Sequence, residues 1–132
     1  MDPRIALITI LTDNFSAMTV FYRDVLGFQP KIEMEEYCEF ESPGVRFAIC
    51  PRSVMAKATG DETYNHKTSG HAFELAFPVE SPELVDSEYR RLIQNGAIEV
   101  KPPADMPWGQ RTGFFTDPDG NIHEVFADLI DE

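Results

Sequence analysis

Apolar and polar positions follow one another along the chain in blocks that predict regular elements. Residues 4–12, RIALITILT, form a β-branched apolar run typical of a buried strand. In the next segment, DNFSAMTVFYRDVLGF, apolar side chains recur every three or four residues up to Gly27, which predicts a helix. Short strands are expected at about 28–34, 37–41 and 44–50. The polar stretch 51–69 is expected to be a long connecting loop.

The second half of the chain has the same order of elements. The segment HAFELAFPV, residues 71–79, predicts a strand with an apolar face suited to packing under helices, made of Phe73, Leu75, Phe77 and Val79. Residues 81–96 predict a helix with Ser81 as N-cap and Gly96 just past its end. Further strands are expected at about 98–101, 110–116 and 121–127.

A shift of 67 positions superimposes the two halves. It places Tyr22 on Tyr89, Arg23 on Arg90, Met18 on Val85 and Leu26 on Ile93. A fixed period of this kind is the signature of a duplicated architecture. We therefore predict a single domain over residues 1–132 that contains two βαβββ modules, at about 1–50 and about 70–132, joined by the 51–69 loop.

Length and composition indicate one soluble domain. The chain has 132 residues, of which 42% are hydrophobic, enough for one core. No apolar run reaches the roughly 18 residues of a membrane span, so no membrane partner is expected. The start, MDPRIALITI, has no charged and apolar signal pattern, and a cytoplasmic location is expected.

The net charge of the chain limits the classes of partner that it is expected to bind. The formal net charge is −12, from 23 acidic and 11 basic residues. Such a chain repels phosphate backbones, so nucleic acid is not expected as a partner. The excess of acidic residues either serves solubility, which is the first interpretation, or favours a cationic ligand over an anionic one. Signature motifs of other chemistries, such as GxGxxG, the P-loop, HExxH and GxSxG, are absent from the sequence.

Three segments carry a resemblance to a known family. FYRDVLGF, ELAFPVESPELVDSEYRRLIQNGA and PWGQRTGFFTDPDGNIHEVF resemble the vicinal oxygen chelate superfamily of glyoxalases, bleomycin-resistance proteins and dioxygenases. The resemblance implies an α+β fold in which two βαβββ modules form a cupped mixed β-sheet. It also implies a homodimer, with a small molecule or a metal ion bound in the cup. Metal ligands in this family come from the first and fourth strands of each module.

The ligand positions are only half filled with side chains that bind metals. Glu74 and Glu124 match the two positions of the second module, whereas the internal repeat puts Leu7 and Ala48 at those of the first. Cys50 shares the face of Ala48 but would need a register shift to replace it. A closed four-ligand site is therefore not predicted, although a weakly held divalent metal ion with water ligands stays open. Alternatively, the two carboxylates act as acid and base or hold an amine or guanidinium group.

Other candidates have an ordinary structural interpretation beside the functional one. Trp108 either stacks on a flat ligand or covers the sheet edge, and Arg111 either anchors an anion or lies at the surface. His71 is a weak metal candidate, since strand parity puts it on the face opposite Glu74. Parity also separates His123 from Glu124, and His66 is expected to be exposed. Phe47 and Phe126 are candidates for the core or for the cup wall.

Two functions are compatible with these residues. The first is a glyoxalase/bleomycin-resistance-like protein that binds a small organic molecule in the cup without a full four-ligand metal site. The alternative is a divalent-metal-dependent lyase or isomerase of glyoxalase type that uses Glu74 and Glu124. A dioxygenase is less favoured, because its iron site needs two histidines and a carboxylate.

Overall fold

The chain folds into two compact units, described here by a computed structural model over residues 1–130. The first unit is Met1–Ser69 and the second begins at Gly70. Positions 131 and 132, the end of the predicted second module, lie outside the described residues. In each unit a four-stranded mixed sheet carries a helix on one face.

The first unit contains four strands and two α-helices. They are β1 (Leu7–Thr12), α1 (Phe15–Val20), β2 (Pro30–Met34), β3 (Tyr37–Phe40), β4 (Arg46–Pro51) and α2 (Arg52–Thr59). A π-helical turn, Phe21–Val25, continues α1, and a 3₁₀ helix, Glu62–Asn65, follows α2. The sheet order is β1-β4-β3-β2, with β1 parallel to β4 and the other neighbours antiparallel.

Aromatic packing fills the helix side of the first sheet. The ring centroid of Phe47 lies 5.3 Å from that of Tyr22 and 5.3 Å from that of Phe28. Since side chains alternate along a strand, Phe47 and Ile49 point toward the helix, whereas Arg46 and Ala48 point the other way. We call the side of each sheet that is opposite its helix the far face.

The second unit repeats the strand and helix order. Its elements are β5 (Ala76–Pro78), α3 (Pro82–Gln94), β6 (Ile98–Asp105), β7 (Gln110–Thr116) and β8 (Ile122–Asp128). The sheet order is β5-β8-β7-β6, and only β5 and β8 are parallel among its paired strands. Val85, Tyr89 and Leu92 of α3 are buried. Both units thus have the order βαβββ, which confirms the predicted α+β fold of two such modules.

The predicted 51–69 loop is wrong over much of its length. Residues Arg52–Thr59 form α2, which ends at Gly60 with a left-handed backbone (φ +74°). Asp61 then caps the 3₁₀ helix, because its side chain accepts a hydrogen bond from the Thr63 amide at 2.9 Å. No side chain of α2 is fully buried, so burial of an apolar stripe against a core does not account for this helix.

The predicted strand 71–79 is also too long, since β5 begins only at Ala76. The Leu75 amide donates its hydrogen bond to the Nδ1 atom of His123 (3.1 Å) rather than to a backbone carbonyl of the neighbouring strand. Phe73 therefore lies before the strand and is exposed, not packed under a helix.

Among residues 1–130, no helix has the length and apolar character needed to cross a membrane.

Candidate functional site

Glu124 is a buried carboxyl group on the far face of the second sheet. It lies in the centre of β8, opposite Ala76 on one side and Phe114 on the other. Only 7% of Glu124 is exposed. A carboxylate is rarely so buried unless a partner or a function compensates for the lost hydration.

Glu74 is held near Glu124 by the backbone of the next residue. The carbonyl of Leu75 accepts a hydrogen bond from the Glu124 amide at 3.0 Å, while the Leu75 amide donates to His123 Nδ1. Both contacts fix the segment that enters β5 against β8. The two glutamates, fifty positions apart in the sequence, thereby become neighbours whose carboxyl groups interact. Glu74 is exposed, so the pair is open to solvent on the Glu74 side.

Burial and the proximity of Glu74 change the acid–base chemistry of Glu124. Burial raises the pKa of Glu124 to about 7, and a hydrogen bond and charge repulsion from Glu74 add to this effect. Near neutral pH, Glu124 therefore exchanges its proton readily. Such a pair can donate a proton, accept one, or compensate the charge of a cation.

His123 supports this site from the helix side of the sheet. It is fully buried, with its ring edge-on to Phe77 and Phe115 at centroid distances of 6.0 and 6.2 Å. Its Nε2 atom lies 3.5 Å from Oδ2 of Asp117, which is also buried. Since Nδ1 accepts the Leu75 amide, the neutral ring carries its proton on Nε2, toward Asp117.

Asp117 also organises the turn before β8. Its Oδ1 atom accepts hydrogen bonds from the Asp119 and Asn121 amides, each at 3.0 Å. The Gly120 amide donates to the Asp117 carbonyl, also at 3.0 Å, which closes a turn with Pro118 at its second position. Asp117 is not among the residues that the sequence pattern singled out, although an Asp at the first position of a turn signals this role.

The far face of the first sheet lacks metal-binding side chains at the corresponding positions. Leu7 lies opposite Arg46, and Ala48 lies between Thr9 and Glu39, as the strand registers require. Cys50 is on the same face in regular register, with its buried thiol directed at the carbonyls of Glu36 (3.7 Å) and Pro51 (3.6 Å).

A complete family-type metal centre does not fit these residues. Leu7 and Ala48 have no donor atom in their side chains, which leaves Glu74 and Glu124 as the carboxylate ligands at the family positions. Over the described range 1–130, no three His, Cys, Asp or Glu side chains are grouped as a metal site. Two carboxylates alone fall short of the four protein ligands typical of a structural zinc site and of the three typical of a catalytic one.

A polar cluster on the far face of the first sheet was missed by sequence reasoning. The Glu39 carboxylate is buried and accepts hydrogen bonds from Tyr37 Oη (2.7 Å), Arg46 Nε (2.9 Å) and Arg46 Nη2 (2.8 Å). The hydrogen bonds from Arg46 and Tyr37 lower the pKa of Glu39 to about 2. The sequence did contain a signal for this contact. Glu39 and Arg46 have opposite charges and lie on the two strands of a β-hairpin, where residues at diagonal positions are within contact distance.

The remaining candidates are dispersed. Trp108 is 59% exposed, and its ring N–H donates to Gln110 Oε1 at 3.1 Å. Arg111 is occupied by Asp86 and Asp105. Phe126 is half-buried on the far face with Glu124, whereas Phe47 lies on the helix side of its sheet, away from the predicted cup wall. His66 and His71 are exposed and lie outside regular strands.

Comparison with known proteins shows the family of this chain. The sequence model of the Glyoxalase/Bleomycin resistance protein/Dioxygenase superfamily matches residues 4–125. Uncharacterized protein YraH of Bacillus subtilis (strain 168) is 32% identical over 126 residues, covering 92% of this chain and 96% of that protein.

Two crystal structures extend this likeness to the fold. A glyoxalase/bleomycin resistance protein/dioxygenase from Nocardioides has 31% identity and a TM-score of 0.87, covering 100% of this chain and 87% of that one. Lactoylglutathione lyase from Agrobacterium tumefaciens has 22% identity and a TM-score of 0.74, covering 94% and 92% of the two chains. At that identity, the second similarity concerns the fold alone.

Proposed function

This chain belongs to the Glyoxalase/Bleomycin resistance protein/Dioxygenase superfamily, and we propose that it binds a small organic molecule with a cationic amine or guanidinium group. The binding residues are Glu74 and Glu124 on the far face of the second sheet. The observation that carries the proposal is the pairing of buried Glu124 with Glu74, in which the pKa of Glu124 is about 7.

The charge of the pair favours a cation. Burial of Glu124, together with its interaction with the adjacent Glu74, raises the pKa of Glu124 to about 7, so this carboxyl group is partly protonated near neutral pH. A bound ammonium group would relieve the repulsion and favour the ionised form of Glu124. The net charge of −12 also attracts cations to the protein.

The neighbouring side chains suit the organic part of such a ligand. Phe114 faces the same side as Glu124, because the two residues are register partners, and Phe126 follows two positions later in β8. Both rings are half-buried. An aromatic ring beside a carboxylate can pack on a flat ligand and attract its cationic group.

A matched pair of probes tests this proposal. Benzylamine and benzoate have an aromatic ring in common and differ in the sign of their charge. We expect benzylamine to raise the melting temperature of the wild-type protein at pH 7.5, and benzoate to have no such effect. Glu124→Gln and Glu74→Gln should each abolish the benzylamine shift. A shift of equal size in both variants, or an equal shift with benzoate, would refute the proposal.

Measuring bound metal distinguishes metal-free binding of a small molecule from the alternative function, a metal-dependent lyase or isomerase. Untagged wild-type protein, Glu74→Ala and Glu124→Ala are incubated with nickel, zinc, manganese or iron(II) and desalted before metal content is measured. A stoichiometric ion retained by the wild type and lost from both variants would overturn the metal-free form of the proposal. Retention below one-tenth of an ion per chain, as a rough limit for a weak two-carboxylate site, supports it.

A further inference from the structure

A groove runs along the open edge of the second unit, between α3 and the edge strand β6. Its walls include Arg90 and Ile93 of α3 and Glu99, Pro102 and Pro103 of β6, and its volume is about 450 Å³. Sites for small organic molecules in proteins have volumes in this range. We propose that the groove binds a small zwitterion with an apolar side chain, of the chemical class of an α-amino acid.

The groove lies on the helix side of the second sheet, whereas Glu124 lies on the far face. Glu99 is the register partner of Phe115, whose ring points toward the helix side and packs on His123. Since side chains of register partners share one face, Glu99 points into the space between β6 and α3. The groove and the Glu74–Glu124 pair are therefore on opposite faces of one sheet.

The floor of the groove is rigid. Tyr89 is buried, and its hydroxyl donates to the Phe114 carbonyl at 2.7 Å. Pro103 reaches the same place, because a Cβ atom on Gly113 would lie 3.1 Å from Pro103 Cγ. The consecutive residues Pro102 and Pro103 have fixed φ angles and no amide donor, so another strand cannot pair with β6 here. A preformed groove that does not accept a strand suits a small molecule.

Two charges of opposite sign flank the groove without an ion-pair partner. Arg90 and Glu99 are exposed, and neither takes part in a salt bridge over the described residues 1–130. Glu99 interacts with Tyr89, whose pKa is raised to about 12 by burial and by the Glu99 charge. Tyr89 therefore stays neutral at physiological pH and does not compensate the carboxylate of Glu99.

The other charged side chains that line the groove compensate each other. Arg111 binds Asp86 through Nε and Nη2, and its Nη1 atom donates to Asp105. One cation, Arg90, and one anion, Glu99, thus remain for a ligand.

The internal repeat provides a contrast to Arg90. The equivalent residue of the first unit, Arg23, is paired with Asp24 at 2.7 Å. The residue after Arg90 is Arg91, which is paired with Glu88 instead. The unpaired guanidinium is therefore not a feature that both repeats share.

An α-amino acid matches the groove in charge and polarity. Its carboxylate can accept two hydrogen bonds from the guanidinium fork of Arg90, and its ammonium group can donate to Glu99. Its apolar side chain would cover Ile93 and the rings of Pro102 and Pro103, which removes apolar surface from water.

Four ligands that differ in charge and size test the proposal. L-phenylalanine, 2-phenylethylamine, 3-phenylpropanoate and glycine are titrated separately into the ¹⁵N-labelled chain at pH 7 and constant ionic strength, and the amide signals of Gln94 and Glu99 are followed by NMR. We expect saturable shifts with phenylalanine and binding weaker by roughly tenfold for the other three, because each lacks a charged group or the side chain. Equal affinity for phenylalanine and a singly charged ligand, or no saturable shift up to about 10 mM phenylalanine, would overturn the proposal.

Matched variants test the two assigned contacts. Arg90→Gln should weaken phenylalanine binding by roughly tenfold without weakening 2-phenylethylamine, which has no carboxylate. Glu99→Gln should have the same effect on phenylalanine without weakening 3-phenylpropanoate, which has no ammonium group. Both side chains are exposed, so the variants should keep the melting temperature of the wild type. Arg23→Gln is the control and should bind phenylalanine as the wild type does. Undiminished phenylalanine binding in Arg90→Gln and Glu99→Gln, or equal weakening of every ligand, would refute the assignment.

Discussion

At the residue scale, the properties of Glu124 follow from its surroundings. The same carboxyl group on an exposed strand would be ionised at neutral pH. Burial and the adjacent Glu74 instead raise its pKa to about 7. Ionising Glu124 in the folded protein therefore costs free energy and lowers the stability of the fold. A cation bound beside Glu124 would stabilise its ionised form and offset this cost.

The pH dependence of stability tests this description of Glu124. Its pKa is about 7 in the folded protein, against 4.5 for an ordinary glutamate. The folded state therefore retains a proton that the unfolded state has lost, and the contribution of Glu124 to stability declines as pH rises from about 4.5 to 7. We expect Glu124→Gln to remove this decline, with a relative gain on the order of 2 kcal/mol between pH 4 and pH 8.

Urea unfolding of the wild type and Glu124→Gln from pH 4 to pH 8 provides the measurement. At pH 4 the carboxyl group is mostly protonated in both states, so the difference between the proteins there reports mainly packing and hydrogen bonding. A difference in unfolding free energy that stays constant over the whole range would contradict the raised pKa.

His123 provides a second test at the residue scale. We expect His123→Phe to lower the free energy of unfolding by about 1–3 kcal/mol, because the partly buried Leu75 amide loses its acceptor. Leu75 should also lose protection in amide hydrogen exchange. His66→Gln is the control, since His66 is exposed and should tolerate the change. Unaltered protection of Leu75 in His123→Phe would refute the proposed role.

At the scale of elements, close contact between α3 and β7 positions the second sheet. Gly113 of β7 lies under Tyr89 of α3, and a Cβ atom on Gly113 would be 2.6 Å from Tyr89 Cδ2 and 3.1 Å from Pro103 Cγ. The Tyr89 hydroxyl donates to the Phe114 carbonyl at 2.7 Å. Helix and sheet therefore approach closely beside the strand residue that faces Glu124.

Gly113→Ala should separate these two elements. The added methyl group has no space beneath the Tyr89 ring, so we expect a loss of about 1–3 kcal/mol in unfolding free energy, measured in urea. Adding Tyr89→Leu should compensate part of that loss, because the smaller side chain leaves room for the methyl group. If Gly113→Ala costs the same free energy in the Tyr89→Leu variant as in the wild-type protein, contact with this ring is not the cause.

Elements differ in how far local sequence determines them. The pattern in residues 81–96 predicted α3 closely, since Ser81 caps the helix and the apolar stripe packs on the sheet. Helix α2 has the C-terminal glycine signal at Gly60 but no fully buried residue, so apolar periodicity did not reveal it. Strand β5 was overestimated because the hydrogen bond of Leu75 goes to His123, a residue 48 positions away.

At the scale of the whole molecule, the duplicated modules have diverged in their chemistry. Each far face has a buried glutamate near its centre, but the surroundings of the two glutamates differ. Glu39 is neutralised by Arg46, which lowers its pKa to about 2, whereas Glu124 faces another carboxyl group, which helps to raise its pKa to about 7. One fold thus presents two electrostatic environments. The expected homodimer and cup remain predictions from the family resemblance.

Residue patterns along the chain were enough to predict the two βαβββ modules, and the family resemblance added Glu74 and Glu124 as partners. Periodicity is local, and the matching order of elements fixed which strands correspond in the two halves. The hydrogen bonds of Leu75 and the contact of Glu39 with Arg46 on the far face became visible in the folded chain alone. These contacts join residues from separate segments, and their energies depend on burial and interatomic distance. Neither quantity is encoded in the spacing of residue types along one chain.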